Sequence, residues 1–353
     1  MEKHASLMDR DFQIVNPLED SRWNERILSR GGCSFFHSSN WARVLAESYR
    51  YTPLYFAMIR GGVFLALMPF MEINSRLTGK RAVSLPFTDY CRPILSDGLA
   101  FEDFLDAVIK RGKREGWKSI ELRTEAALPA PHTVSSQYCG HILDISLSEK
   151  ELYRQLRDST RRNIKKALME GVEIVFSNSP DAMKEFYRLN CMTRRDHGLP
   201  PQPYLFFKKI NEHVLAKDFG LLALASHKGK NIAGAIYFHF NDHGFYKYGA
   251  SDRAYWHMRA NNLIIWEAIR RYRSKGYTNF SFGRTEPENA GLLQFKAGWG
   301  AREYPIYYYK YDLRQNAFVK DPLKLKGMHN RIFRSMPMPL LKIAGSLLYR
   351  HMG

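Results

Sequence analysis

Three consecutive apolar runs of strand length, joined by short turn-forming segments, constrain the fold most strongly. They cover residues 221–226, 232–240 and 244–249, and their separators are Lys228-Gly-Lys-Asn231 and Asn241-Asp-His-Gly244. Gly and Asn favour the tight turns of hairpins because they tolerate a positive φ. The second half of the chain is therefore expected to contain a three-stranded antiparallel sheet.

Helical patterns surround this sheet. Before the sheet we expect helices over 148–170 and 181–194 and a third helix that ends at residue 216. After it we expect a helix over 261–275, a strand over 279–282, a helix over 289–296 and a strand over 304–311. The first half repeats part of this order, with a helix over 40–49, strands over 54–59 and 63–71, a helix over 101–115 and a strand over 119–123. Strands grouped together and flanked by helices predict an α+β fold. At about 150 residues per domain, 353 residues allow two such domains in tandem.

The predicted domain limits are 1–147 and 148–315, followed by a basic amphipathic tail over 316–353. The tail holds seven Lys or Arg residues against one Asp and mixes them with bulky apolar side chains. Pro337 and Pro339 divide it into two short helices, which fits a membrane surface better than a membrane span. The alternative is that the tail packs back on the protein as a pair of helices.

Charge and cysteine usage limit the partners. The chain has 53 Lys plus Arg against 35 Asp plus Glu, a net charge of +18, which favours nucleic acid, phosphorylated substrates or anionic lipid. Cys33, Cys91, Cys139 and Cys191 show no metal-binding spacing, so we expect reduced thiols and no metal site. The first twelve residues are charged and have no apolar core, which indicates a cytoplasmic protein rather than a secreted one.

Five stretches resemble the Fem family, bacterial transferases with two GNAT-like domains whose best-known members add amino acids from aminoacyl-tRNA to peptidoglycan precursors. They are His37-Ser-Ser-Asn-Trp41, Ser84-Leu-Pro-Phe-Thr-Asp-Tyr90, the basic segment 156–172, Tyr248-Gly-Ala-Ser251 with 262–266, and Phe282-Gly-Arg284 with 295–301. The order of elements after residue 148 also resembles a GNAT (acyl-CoA N-acyltransferase-like) domain. The stretches also resemble the Fem-related proteins of exosortase and polysaccharide gene clusters.

The resemblance implies a role for Phe295 and Lys296, because a Phe-Lys pair lies by the transfer site in the Fem family. Lys296 would place its charge near the ribose of the donor or the developing oxyanion; alternatively it is a solvated lysine at a helix end. GNAT domains bind the pyrophosphate of coenzyme A with a glycine-rich loop, but the corresponding segment 253–260 has no glycine. The donor is therefore expected to be aminoacyl-tRNA rather than acyl-CoA, although both stay open.

Other candidates for substrate binding lie at strand and helix ends in the same domain. Arg284 follows a buried strand and would bind phosphate or carboxylate, or else pair with Glu286 or Glu288. Tyr248 and Ser251 end the central strand, where acyl acceptors meet donors in a GNAT sheet; alternatively they are a packed tyrosine and a turn serine. Asn262 would orient a ligand amide or cap its helix. Trp299 belongs to the strongest motif, although packing is its alternative role.

A basic helix face and one carboxylate complete the candidate site. Arg161, Arg162 and Lys165 share a face that would bind a polyphosphate or tRNA, or is only solvated. In the first domain, Asp89 would hold or deprotonate the ammonium group of the acceptor, next to Tyr90. His197 is a weaker candidate for a general base, since it lies in a turn-rich loop.

These observations predict a transferase that moves an acyl or aminoacyl group onto an amine or hydroxyl of a cell-envelope or exopolysaccharide precursor. Attack is expected to be direct, in a ternary complex, because no nucleophile motif is present. The alternatives are a coenzyme A dependent N-acyltransferase and a non-catalytic nucleic-acid or membrane adaptor. The predicted partners are a phosphate-bearing precursor, tRNA and an anionic membrane surface contacted by residues 316–353. The predicted location is the cytoplasm, with peripheral attachment to the inner membrane.

Overall fold

The structure of the protein is a computed structural model that describes residues 12–129, 132–320 and 328–353. Its α-helices are α1 Trp23–Arg30, α2 Ser39–Tyr49, α3 Phe101–Glu115, α4 Glu149–Gln155, α5 Asp158–Met169, α6 Pro180–Asp196, α7 Tyr204–His213, α8 Ala260–Ser274, α9 Ala290–Ala297, α10 Met328–Ser335 and α11 Met338–Leu348. Its strands are β1 Phe12–Val15, β2 Thr52–Arg60, β3 Val63–Ser75, β4 Gly79–Val83, β5 Ile94–Leu95, β6 Ser119–Thr124, β7 Ser136–Asp144, β8 Glu173–Phe176, β9 Gly220–His227, β10 Lys230–Phe240, β11 His243–Ser251, β12 Asn279–Thr285, β13 Arg302–Asp312 and β14 Ala317–Val319.

The chain forms two compact units, and the α+β class is confirmed. The first unit contains Met1–Gln137, Pro305–Leu323 and Arg350–Gly353, and the second contains Tyr138–Tyr304 and Lys324–Tyr349. These limits differ from the predicted ones because β7 pairs with β12 of the second unit, whereas most of β13 pairs with β6 of the first. The tail is likewise divided between the units instead of forming a separate part.

The first unit is built on a mixed sheet with the order β1-β2-β3-β4-β6-β13. Gly61 and Gly62, a pair typical of two-residue hairpin turns, join β2 and β3. The register of these strands runs from Thr52 opposite Glu72 to Arg60 opposite Val63. Helix α3 packs Phe104 and Val108 into the core of this unit. The predicted bounds of α3 agree with the structure because Gly116, in the left-handed conformation, ends the helix.

The second unit has a sheet with the order β7-β12-β11-β10-β9-β8. The three-stranded antiparallel part, β9 to β11, agrees with the prediction. Helix α8 packs one side of it with fully buried aliphatic side chains and with Tyr272. Within the sheet, β11 and β12 run parallel to each other, and all the other pairs are antiparallel.

Two predictions about local structure were wrong. The basic helix expected over 148–170 is two helices, because Leu156 and Arg157 adopt extended ψ angles between α4 and α5. Pro129 and Pro131 in the sequence predict a loop over 124–140, but this segment contains the start of β7. Glycine is uncommon inside strands, so Gly140 makes this strand hard to recognise from the sequence. The position requires a glycine because a side chain there would overlap the ring of Tyr304.

The tail forms two short helices, α10 and α11; Pro337 is the N-cap of α11, and Pro339 lies in its first turn. None of the helices in the described ranges is both long enough and apolar enough to cross a membrane. Lys324 and Lys326, two of the predicted basic residues of the tail, lie outside the described residues. So does most of the N-terminal segment used to predict the location.

Candidate functional site

A cavity of about 520 Å³ opens in the second unit beside the end of β11. Its wall is largely apolar, with polar groups from the strand end and from the start of α8. The lining residues are Asn163, Thr193, His197, Ile232, Ala233, Tyr246, Gly249, Ala250, Ser251, Asp252, Tyr255, Trp256, Arg259, Ala260, Asn261, Asn262, Leu292 and Phe295. An apolar pocket with a few convergent polar groups is the usual form of a small-ligand site.

The cavity lies where two parallel strands part. β11 and β12 pair only from His243 opposite Asn279 to Phe245 opposite Ser281. Beyond these pairs β11 continues to Ser251, and there it pairs only with β10 among the described strands. Because peptide groups of a strand point alternately to its two sides, part of the β11 backbone is left to face a ligand.

A β-bulge in β11 determines which of two tyrosines, Tyr246 or Tyr248, lines the cavity. Tyr237 lies opposite Tyr246 and Ile236 opposite Tyr248, so Lys247 is an extra residue in β11. Tyr246 and Tyr248 therefore point to opposite faces of the sheet. Tyr246 lines the cavity, whereas the ring of Tyr248 packs edge-on against Phe207 of α7, with centroids 5.6 Å apart. Of the two roles that the sequence allowed for Tyr248, this position favours packing.

Ser251 lies at the centre of the polar part of the wall. Its hydroxyl oxygen accepts hydrogen bonds from Nε1 of Trp256 at 2.9 Å and from Nδ2 of Asn261 at 3.5 Å. Thr193 of α6 fixes its backbone, since Thr193 Oγ1 donates to the Ser251 carbonyl and accepts from the Ser251 amide. With both lone pairs of the hydroxyl occupied, its proton remains for a ligand.

Asn262 also lines the cavity, in the first turn of α8, and its side chain is only 6% exposed. The N-cap position of this helix is Arg259, and no side chain caps it, so Asn262 is not the capping residue that one prediction allowed. The Asn262 amide group makes no hydrogen bond to any residue of the described ranges. A buried amide that faces a cavity without a protein partner is a candidate for ligand binding.

The segment after β11 replaces a glycine-rich loop with aromatic side chains. Asp252 caps a 3-10 helix over Arg253–Met258 by accepting from the Ala254 amide at 3.1 Å. Trp256 is 49% exposed at the cavity, and its ring centroid lies 5.5 Å from the guanidinium carbon of Arg253. An exposed indole with a neighbouring arginine is typical of sites that stack a nucleobase.

Lys296 is buried, which contradicts the alternative of a solvated lysine at a helix end. Its side chain is 4% exposed, and Nζ donates to the carbonyl oxygens of Gly283 at 2.9 Å and Arg284 at 3.0 Å. Phe282 and Gly283 form a bulge in β12, where the register with β7 shifts. The ammonium group therefore donates hydrogen bonds to carbonyl groups at the bulge, where the regular ladder of strand hydrogen bonds is interrupted.

The other predicted residues around Lys296 have different positions. Phe295 lines the cavity. Trp299 is fully buried against Phe282 and Phe295, so it is a core residue instead of a substrate contact. Arg284 places its guanidinium carbon 4.2 Å from the ring centroid of Tyr138. Neither Lys296 nor Arg284 belongs to the residues that line this cavity.

The predicted basic face lies on the solvent side of α5. Arg162 and Lys165 are exposed, and Arg161 pairs with Asp158 one turn earlier. The opposite face packs Ile164 and Ala167 into the core. Asn163, between these two faces, lines the cavity, so the basic residues lie on the helix that forms part of the cavity wall.

Asp89 and Tyr90 belong to the first unit and follow a strained turn. Leu85 and Phe87 have φ values of 53° and 60°, a region that bulky side chains rarely adopt. The turn is held by hydrogen bonds, including one from the Tyr308 hydroxyl to the Asp89 carbonyl at 2.9 Å. Strain of this kind clusters at functional sites, which keeps Asp89 a candidate.

Sequence reasoning missed several lining residues and undervalued His197. Thr193 and His197 lie one helical turn apart at the end of α6 and both reach the cavity. Partial burial, with the nearby Arg194 guanidinium, holds the pKa of His197 below its usual value. This histidine is therefore neutral at pH 7 and able to accept a proton. The helical spacing of Thr193 and His197 was the signal that would have identified the pair.

Comparisons with known proteins agree with this geometry. Residues 154–297 match the family described as acetyltransferase (GNAT) domain. Over 99 residues the chain is 31% identical to the lipid II:glycine glycyltransferase of Staphylococcus epidermidis, a match over 26% of this chain and 23% of the relative. The matched part thus spans less than a quarter of that curated relative.

Solved structures extend the likeness to most of the chain. The crystal structure of FemX has a TM-score of 0.65 at 14% identity and covers 86% of this chain and 98% of FemX. A tandem GNAT protein from the clavulanic acid biosynthesis pathway has a TM-score of 0.54 at 9% identity, with the same coverage of 86% and 98%. These two likenesses show the fold. Together with the sequence matches, they confirm the predicted resemblance to the Fem family of GNAT-fold acyltransferases.

Proposed function

We propose that the protein transfers an aminoacyl group from aminoacyl-tRNA to an amine of a peptidoglycan-type precursor, with an exopolysaccharide precursor as the alternative acceptor. The similarity to a lipid II:glycine glycyltransferase and to FemX supports this substrate class. The observation that carries the proposal is the cavity where β11 and β12 part, with Ser251 and Asn262 on its wall.

The chemistry requires a neutral amine, an activated ester carbonyl and a fixed geometry. In a ternary complex the amine nitrogen attacks the carbonyl carbon of the aminoacyl ester, a C–N bond forms and the ester C–O bond breaks. The proton of the amine passes to a base, and the ribose oxygen leaves with a proton. We assign the base role to His197, which lines the cavity. We also propose that the charge of the Lys296 ammonium, next in the chain to the lining residue Phe295, stabilises the negative charge that develops on the carbonyl oxygen.

The segment Arg253–Met258 favours a tRNA donor over coenzyme A. A pyrophosphate needs a concave row of backbone N–H groups, and glycines usually provide it. This chain instead presents the exposed ring of Trp256, which offers a stacking surface for the terminal base of a tRNA. Acetyl-CoA is accordingly expected to leave the melting temperature of the protein unchanged, and a clear rise would favour the coenzyme A dependent alternative.

The central test is a transfer assay with purified protein, charged glycyl-tRNA and lipid II. The expected result is incorporation of labelled glycine into the lipid fraction, with no transfer from acetyl-CoA. Other aminoacyl-tRNAs and lipid-linked exopolysaccharide precursors form the second arm of the assay. Absence of transfer from every aminoacyl-tRNA, together with transfer from an acyl-CoA, would overturn the proposal.

Asn262→Ala is expected to raise the Kd for the donor about tenfold, the effect of one lost hydrogen bond. The free energy of unfolding should change little, because the amide has no partner within the described residues. Asn231→Ala, a half-buried asparagine of the same unit that does not line the cavity, is the control. Equal donor affinity in Asn262→Ala and the wild type would remove Asn262 from the site.

The basic face of α5 provides a separate prediction. Reversing Arg161, Arg162 and Lys165 to Glu is expected to weaken binding of the phosphate-bearing ligand and to reduce its salt slope by up to about 3 units of log K per log of salt. Reversal of the exposed Lys217, Lys228 and Lys275 changes the net charge equally and serves as the control. Identical salt slopes in the two triple variants would mean that the α5 residues only contact solvent.

A further inference from the structure

The helix α11 is apolar on two sides, and only one of them is covered by the second unit. Leu341 is fully buried, and Gly345 lies so close to the Pro201 carbonyl that a side chain there would clash. After the helix, the Tyr349 hydroxyl donates to the Pro200 carbonyl and accepts from Nη2 of Arg194. These contacts fix the orientation of α11, so its other side is held toward solvent.

The uncovered side carries a continuous apolar stripe. Leu340, Ile343 and Leu347 are each more than half exposed, and their i, i+3, i+7 spacing places them on one helix face. Ile332 of α10 is exposed to the same extent. Of the apolar tail residues that the sequence suggested for lipid contact, Leu341 belongs to the covered side. The two predicted alternatives, packing on the protein and facing a membrane, therefore apply to different sides of one helix.

The positive charge around this apolar stripe indicates which kind of partner binds there. Residues 328–349 contain Arg331, Arg334 and Lys342 but no Asp or Glu. Arg331, Arg334 and Lys342 are exposed, and the chain as a whole carries +18. A second copy of the same basic face would be repelled. Nucleic acid would leave the aliphatic stripe in water, whereas a bilayer with anionic headgroups accepts both the aliphatic and the cationic side chains.

We propose that α10 and α11 dock the second unit onto an anionic lipid bilayer, with Leu340, Ile343 and Leu347 inserted below the headgroups. The inference extends the proposed function, because a lipid-linked acceptor would be presented at such a surface. The membrane contact rests on the proposed function only for its biological role, since binding to vesicles requires neither donor nor acceptor. A short helix that lies in the interface is sufficient for this role.

The test is flotation of the full chain with vesicles of phosphatidylglycerol and phosphatidylcholine, compared with vesicles of phosphatidylcholine alone. The wild type is expected to float with the anionic vesicles at low salt. Leu340→Gln, Ile343→Gln and Leu347→Gln together should lower the bound fraction at least about tenfold without lowering the melting temperature, because these side chains make few contacts within the protein. Val63→Gln with Leu77→Gln, two exposed apolar residues of the first unit, is the matched control and should float like the wild type.

Flotation of the triple variant at the wild-type level, or failure of the wild type to bind anionic vesicles, would overturn the inference. A wild-type dimer that the triple variant abolishes, without vesicle binding, would assign the stripe to a second copy and overturn it equally. Transfer to a water-soluble fragment of the acceptor separates this proposal from the proposed function. The triple variant should keep that activity while losing activity on acceptor embedded in vesicles.

Discussion

Lys296→Met is expected to lower the free energy of unfolding by about 2–4 kcal/mol, because it leaves two buried carbonyl groups without their donor. A solvated lysine at a helix end, the alternative that the sequence allowed, would change this free energy by no more than about 0.5 kcal/mol. The ammonium group of Lys296 is buried and donates to the carbonyl oxygens of Gly283 and Arg284. Urea denaturation of the purified variant measures the loss.

The same substitution is expected to reduce kcat roughly 100- to 1000-fold if the Lys296 charge acts on the developing oxyanion. Activity must be measured well below the melting temperature, where the variant is folded, and expressed per folded protein. Lys275→Met is the matched control, because Lys275 ends α8 as an exposed lysine. A folded Lys296→Met protein with kcat within a few fold of the wild type would show that this lysine only stabilises the β12 bulge.

Periodicity and turn chemistry predicted the elements whose boundaries are set by local interactions. The hairpins β2–β3 and β9–β11 and the helix α3 were predicted because alternating apolar residues, Gly-Gly or Asn turns and a glycine C-cap mark them in the sequence. β7 was missed because its pairing with β12 is a long-range contact and its Gly140 is set by the ring of Tyr304. No local pattern carries that information.

The same distinction applies to the candidate site. Ser251, Asn262 and Phe295, which the resemblance proposed as substrate-binding residues, all line one cavity. The side of the sheet on which Tyr248 lies could not be predicted, because a bulge at Lys247 reverses the side from that residue onward and a bulge has no reliable sequence signature. Lys296 was expected at a helix end, as found, but its burial depends on the bulge in β12, which lies in another segment of the chain.

His37 gives the first unit a pH-dependent stability. The ring is fully buried, and its Nδ1 accepts from the Ser34 amide at 3.0 Å. A backbone amide only donates, so the proton of the neutral ring is on Nε2, which donates to the Arg92 carbonyl at 3.0 Å. Protonation would direct a second N–H at the Ser34 amide. Burial, aided by the charge of Arg92, lowers the pKa of His37 to about 4.

Because the ordinary pKa of histidine is about 6.5, the unfolded chain binds a proton between pH 6.5 and pH 4 that the folded first unit does not. Stability therefore rises with pH across this window, and lowering the pH from 7 to 4 should cost about 3 kcal/mol through this residue alone. His37→Gln is expected to be less stable at pH 7, yet to lose less stability on acidification. The exposed His257→Gln should keep the wild-type pH dependence.

Urea titrations at several pH values between 7 and 4 would measure these slopes. Equal slopes in His37→Gln and the wild type would mean that the buried imidazole is not the group that titrates. In that case other contacts would hold the motif His37-Ser-Ser-Asn-Trp41 in the first unit. Among these are the hydrogen bond from Trp23 Nε1 to the His37 carbonyl at 2.9 Å and the Ser38 cap of α2, neither of which changes charge in this range.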